Sequence, residues 1–135
     1  MKTSMKWGLV VLASTMLSVA QAGVLYLGTV SLKDHQDRDS LQLGPCAVTF
    51  NRPVEAIQLK VAHYPAEIDR LVVEYQNGQR DELFVKEHFE VGDSSRWIDL
   101  EGGKRCIKRI TVVGDSDTFR YAPFKQAKVS FFGRD

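Results

Sequence analysis

The densest group of chemistry-bearing side chains is Asp34, His35, Asp37 and Asp39, which places carboxylate and imidazole donors close together. Oxygen-rich loops of this kind hold calcium. The EF-hand spacing fails, however, because Leu41 and Gln42 stand where an oxygen ligand and a glycine are required. Lys33 and Arg38 also oppose a cation, so the segment reads as a solvated loop and no metal site is expected. His35, His63 and His88 are the only histidines. A nucleophile triad needs a hydroxyl or thiol, a histidine and a carboxylate brought together. Ser94-Ser95 lacks the Gly-x-Ser-x-Gly setting. Paired carboxylates can cleave glycosides, but the acids are scattered and no pair stands out. Convergence of His63 or His88 with two acids within hydrogen-bond reach would place a hydrolase ahead of a binding protein.

Arg96, Lys104, Arg105, Lys108 and Arg109 gather positive charge around Cys106, with Asp99 and Glu101 among them. A patch like this can meet an anionic partner. Alternation sends Lys108 and Arg109 to opposite faces, and the acids can pair with the bases, so a largely balanced surface is expected. Phe119, Tyr121 and Phe124 share one connection with Pro123. Loop aromatics either contact a partner or cap the end of a core. Trp97, beside Ile98, belongs to the edge of the core or to a contact surface. The candidate binding residues are thus Arg96, Trp97, Arg105, Phe119, Tyr121 and Phe124.

What positions these groups begins with the N-terminus. Lys2 and Lys6 precede an apolar run from Trp7 to Ala13, extended through Met16, Leu17 and Val19, and Ala20-Gln21-Ala22 supplies small residues at a cleavage site. Residues 1–22 are expected to be a cleavable secretory signal, leaving residues 23–135 as one soluble domain with no membrane span. The chain has 18 basic and 17 acidic residues. Loss of Lys2 and Lys6 leaves it close to neutral, which argues against a nucleic-acid binder. Cys46 and Cys106 are the two cysteines. In an oxidising compartment they are expected to form one disulfide, worth about 4 kcal/mol in the loop-entropy account. Neither Cys-x-x-Cys nor zinc spacing is present.

The apolar pattern has the two-residue period of strands. Strands are expected over Val24–Leu32, 47–50, 55–63, 68–75, 83–85, 96–100, 107–113 and 127–132. Ile57, Leu59 and Val61 share one face, as do Val129 and Phe131. The dense Leu71-Val72-Val73 run marks a strand covered on both sides or central in its sheet. Asn77-Gly78 predicts a type I′ hairpin turn, with further turns at Gly92-Asp93 and Gly102-Gly103. Lys33 to Ser40 and Gly114 to Gln126 read as connections, and Phe84 to Glu90 allows one helical turn. Each cysteine reads as preceding an apolar strand. The architecture that follows is all-β, an antiparallel β-sandwich of about eight short strands with one disulfide, with a small β-barrel as the alternative.

Several segments carry a resemblance: Cys46 after Leu41-Gln42-Leu43, Ile57-Gln58-Leu59 opening a strand, Trp97-Ile98-Asp99-Leu100, and Lys104-Arg105-Cys106-Ile107 running into Lys108-Arg109-Ile110-Thr111. With the leader and the length, the chain resembles the YaaI-like family of small periplasmic bacterial proteins. The resemblance implies export, the cysteine pair and a small domain, and supplies no catalytic or ligand-binding residues. The function expected is that of a periplasmic or secreted non-enzymatic binding protein. Its partner would be an envelope protein or an anionic glycan, for example as an inhibitor or protective factor, with no cofactor. The alternative is a small periplasmic hydrolase acting on envelope material.

Overall fold

The computed structural model describes residues 23–32, 37–46, 51–116 and 126–135. The expected leader at 1–22, the segment 47–50, and the connection carrying Phe119, Tyr121 and Phe124 lie outside the described residues. Eight strands are present: β1 (Val24–Leu32), β2 (Asp37–Gln42), β3 (Ala56–Ala62), β4 (Ala66–Tyr75), β5 (Arg80–Phe89), β6 (Ile98–Asp99), β7 (Ile107–Ser116) and β8 (Ala127–Arg134). They form two antiparallel four-stranded sheets, ordered β1-β8-β3-β6 and β2-β7-β4-β5. The sheets pack face to face as a sandwich and do not close into a barrel.

Period-two alternation builds the core. Val129 and Phe131 of β8 and Ile57, Leu59 and Val61 of β3 are fully buried, while the intervening residues face out. From the other sheet, Ile68, Leu71, Val73 and Tyr75 of β4 and Ile107, Ile110 and Val112 of β7 meet them in one cluster. Burying each such side chain contributes about 1.5–3 kcal/mol. Val72 is only half-buried between Leu71 and Val73. The dense run in β4 therefore reflects a central position, between β7 and β5, rather than cover on both faces.

Several expectations are corrected. Asp37 to Ser40 lie in β2, not in a loop. An edge strand pairs on one side only, and its charged outward residues hide the alternation. Strand β7 runs on to Ser116, so Gly114 is interior to a strand rather than the start of a connection. A Cβ there would stand 2.2 Å from the Glu67 carbonyl oxygen, so glycine is what lets β4 and β7 approach. Phe84 to Phe89 is strand, not a helical turn, bent by a bulge at Lys86 with φ 47°. The expected strand around Arg96 shrinks to Ile98–Asp99.

Asn77-Gly78 does make a hairpin, but not a type I′ turn. Only Gly78 has positive φ, 93°. Tyr75 N donates to Gln79 O, Gly78 N donates to Tyr75 O, and Asn77 Oδ1 accepts from Gln79 N, which defines a three-residue loop with a glycine bulge.

The disulfide joins Cys46 and Cys106, with Cα atoms 5.7 Å apart. Cys106 opens β7 as expected. Cys46 trails the end of β2, where Leu43 N donates to Lys108 O of β7, and the strand expected after it at 47–50 lies outside the described residues. The buried Asn51 amide donates to the carbonyls of Gly44 and Ile107, and Gln76 Nε2 reaches the same two oxygens, so this corner is tied by hydrogen bonds as well as by sulfur.

Candidate binding face

The outward faces of the two sheets differ in chemistry. On the sheet containing β4 and β7, several outward charges pair across the strands, and Phe84 of β5 is exposed beside Lys86. Arg109 pairs with Glu74 at 3.1 Å, and Arg70 pairs with Asp69 at 2.6 Å and Glu82 at 2.9 Å. At one end His88 lies between two acids, with Nδ1 2.5 Å from Glu67 Oε2 and Nε2 2.8 Å from Glu90 Oε2.

The outward face of the β1-β8-β3-β6 sheet is different. Tyr26 of β1 is opposite Phe132 of β8, which is opposite Gln58 of β3. The Tyr26 and Phe132 rings lie 5.6 Å apart, tilted by 54°. Tyr26 is 55% exposed, and its hydroxyl is 2.5 Å from Thr29 Oγ1. One step beyond the Ile57–Ile98 pair comes Trp97, with the Arg134 guanidinium 4.8 Å from its ring centroid. Ala56 lies between Arg134 and Asp99 in the register and faces outward by alternation with Ile57. It is nonetheless fully buried. Hydroxyls flank the aromatics, with Thr29 2.8 Å from Ser130.

The outward positions of β1, β8 and β3 hold the cations Lys60, Lys128 and Arg134 and no carboxylate. Lys128 Nζ donates to the Ser31 hydroxyl at 2.6 Å. Among the described strands of this sheet, the outward carboxylate is Asp99, on the two-residue edge strand β6.

A family match covers residues 8–133, under the description Domain of unknown function (DUF2541). The chain belongs to this family. The DUF2541 match begins inside the N-terminal apolar run and reaches into β8, so it takes in both sheets. No curated protein and no solved structure matches the chain.

In this DUF2541 chain the described candidates Arg96, Trp97 and Arg105 do not converge, and Phe119, Tyr121 and Phe124 lie outside the described residues. Trp97 stands on the aromatic face. Arg96 is exposed and reaches toward Glu87 of β5, 3.9 Å away. Arg105 lies at another corner. Its guanidinium stacks on Tyr75, 3.8 Å from the ring centroid, while Nη2 donates to Gln79 Oε1 and Nη1 to the Glu101 carbonyl. An open cavity of about 480 Å³ adjoins it, but Arg105 is spent on its own neighbours. Burial and the Asp81 hydrogen bond raise the Tyr75 phenol above its ordinary value and keep it protonated. Of the basic group, Arg96 and Arg109 have acidic partners, whereas Arg105 is held by a neutral amide, a carbonyl and an aromatic ring. Tyr26, Phe132, Lys60, Lys128 and Arg134 were not singled out from sequence. Alternation around Phe131 already turns Phe132 and Arg134 outward, but only the β1-β8-β3 register shows that these residues meet.

His63 sits in the turn after β3 with φ 74°. Ser95 is buried, with Oγ accepting from Leu59 N and donating to Arg96 O. Among the described residues no group of three or more His, Cys, Asp or Glu is placed to hold a metal. Nor is any helix long and apolar enough to cross a membrane.

Hydrogen bonds to Glu90 and then Glu67 raise the His88 pKa above its ordinary 6.5. The protonated ring's contribution to stability is complete below about 6.5 and fades as pH rises through the higher folded value. An NMR titration of the His88 ring should give a midpoint above 6.5, and Glu90→Gln should lower it. A wild-type midpoint at or below 6.5 would contradict the pairing.

Proposed function

We propose that this chain is an exported, non-enzymatic binding protein of the periplasm or the extracellular space. Its partner is an envelope protein or glycan, in a role such as inhibitor or protective factor. The observation that carries this reading is the contrast between the sheets. One outward face is ion-paired, whereas the other sets an aromatic strip among cations that no carboxylate of β1, β3 or β8 balances. The disulfide and the N-terminal leader pattern support export, as does the resemblance to the YaaI-like periplasmic family. A rigid sandwich limits the ordering cost of binding. The test is capture from an envelope extract on the immobilised protein. A retained component should be lost with Tyr26→Ala and kept with Glu82→Gln on the opposite face; retention that ignores both substitutions would sink the reading.

The second reading is a small hydrolase acting on envelope material. Its specific support is the convergence of His88 with Glu67 and Glu90, the arrangement expected from sequence to put a hydrolase first. It ranks second for two reasons. Both ring nitrogens face carboxylates on an open sheet surface, and a raised pKa leaves less of the imidazole unprotonated, and so free to accept a proton, near neutrality. Hydrolysis of envelope material or ester reporters by the wild type, abolished by His88→Gln with the fold intact, would put the enzyme first.

A further inference from the structure

We infer that the β1-β8-β3 face binds an acidic polysaccharide bearing carboxylates on its pyranose rings, by stacking sugar on Tyr26 and Phe132 while Lys60 and Lys128 meet the charges. This deepens the binding reading proposed above and rests on it.

The argument is one of complementarity in two chemistries at once. A tilted, half-exposed aromatic pair offers a ring edge and a ring face to the C–H surface of a sugar. An acidic protein segment or a simple polyanion has no need of that surface. A neutral sugar, in turn, has no need of a field built by three cations and left without a carboxylate on β1, β3 or β8. The Thr29 and Ser130 hydroxyls beside the rings supply the neutral donors and acceptors that sugar hydroxyls use.

The spacing fits a chain molecule rather than a small anion. Lys128, Ser130, Phe132 and Arg134 alternate outward along one strand, a run of about 20 Å. Lys60 stands on the neighbouring strand, opposite Ser130 and one outward step from the Phe132 level. The cations are therefore offset from the aromatic pair along the strands, so a ligand seated on the rings must extend to reach them. Arg134 is held over Trp97, which leaves the two lysines as the groups that read charge.

The experiment is equilibrium binding of the purified protein to a galacturonate hexamer, with a neutral glucose hexamer and a short polyglutamate as comparisons. The expected result is saturable binding of the galacturonate, at least tenfold tighter than either comparison and weakening as salt rises. Phe132→Ser should weaken it tenfold or more. Lys60→Gln with Lys128→Gln should remove the preference over the neutral hexamer while leaving the melting temperature near that of wild type. Equal binding of polyglutamate would overturn the inference in favour of charge alone, and equal binding of the neutral hexamer would overturn the role of the lysines. If the galacturonate fails while capture from envelope extract still depends on Tyr26, the binding reading stands and this ligand class falls. If both fail, both fall.

Discussion

Replacing Cys46 and Cys106 together by alanine should lower the unfolding free energy by about 4 kcal/mol, which for a domain of this size moves the melting temperature down by roughly 15 °C. The bridge spans 60 residues of sequence, and opening it returns that loop's freedom to the unfolded chain. The native side has its own ties, because Asn51 and Gln76 grip the Gly44 and Ile107 carbonyls at the same corner. Those bonds survive the substitution, so the double variant should still fold. Urea unfolding of the oxidised protein, the reduced protein and the double variant checks this. The last two should coincide, and a loss below about 1 kcal/mol would show that the amide ties, each worth about that much, already hold the corner.

Two adjacent phenylalanines should behave oppositely. Phe131→Ala should cost about 3–5 kcal/mol, because a large aromatic is removed from the centre of the core and the sheets close only partly over the gap. Phe131 is fully buried, between Gly28 on β1 and Leu59 on β3. Phe132→Ala removes only an outward contact with Tyr26 and should cost about 1 kcal/mol or less. Thermal or urea denaturation of the pair measures the difference. Comparable losses would mean that the inward and outward sides of β8 have been misassigned.

These neighbours also mark how far the sequence could be read. Alternation along Ile57-Leu59-Val61 and Val129-Phe131 is enough to place the inner faces of β3 and β8; the two-residue period along the chain yields the sandwich and most strand positions, and the cysteine count yields the disulfide. What it misses is non-local. Edge strand β2 has Arg38, Asp39 and Ser40 where an apolar alternation would otherwise announce it. Gly114 looks like a break until β4 is seen lying against it. The aromatic face needs β8 seated between β1 and β3, an order no local pattern contains. The six candidate binding residues stand out in the sequence by charge and aromatic density along the chain. Only Trp97 among those described ended on that face, because Arg96 and Arg105 found partners at other corners.

The strand order also fixes a sequence of events in time. The sheet's first strand pairs with its last: Val24 lies beside Arg134, and Gly23 N donates to Asp135 Oδ1 at 3.0 Å. A chain made or threaded from its N-terminus must hold β1 unmated, and one side of β3 open, until β8 arrives between them. Phe132, Lys128 and Arg134 come with that final strand, so a chain stopped short of residue 127 can form hairpins but presents no aromatic face. Assembly of this sheet and acquisition of the proposed ligand surface are thus one late, all-or-none event.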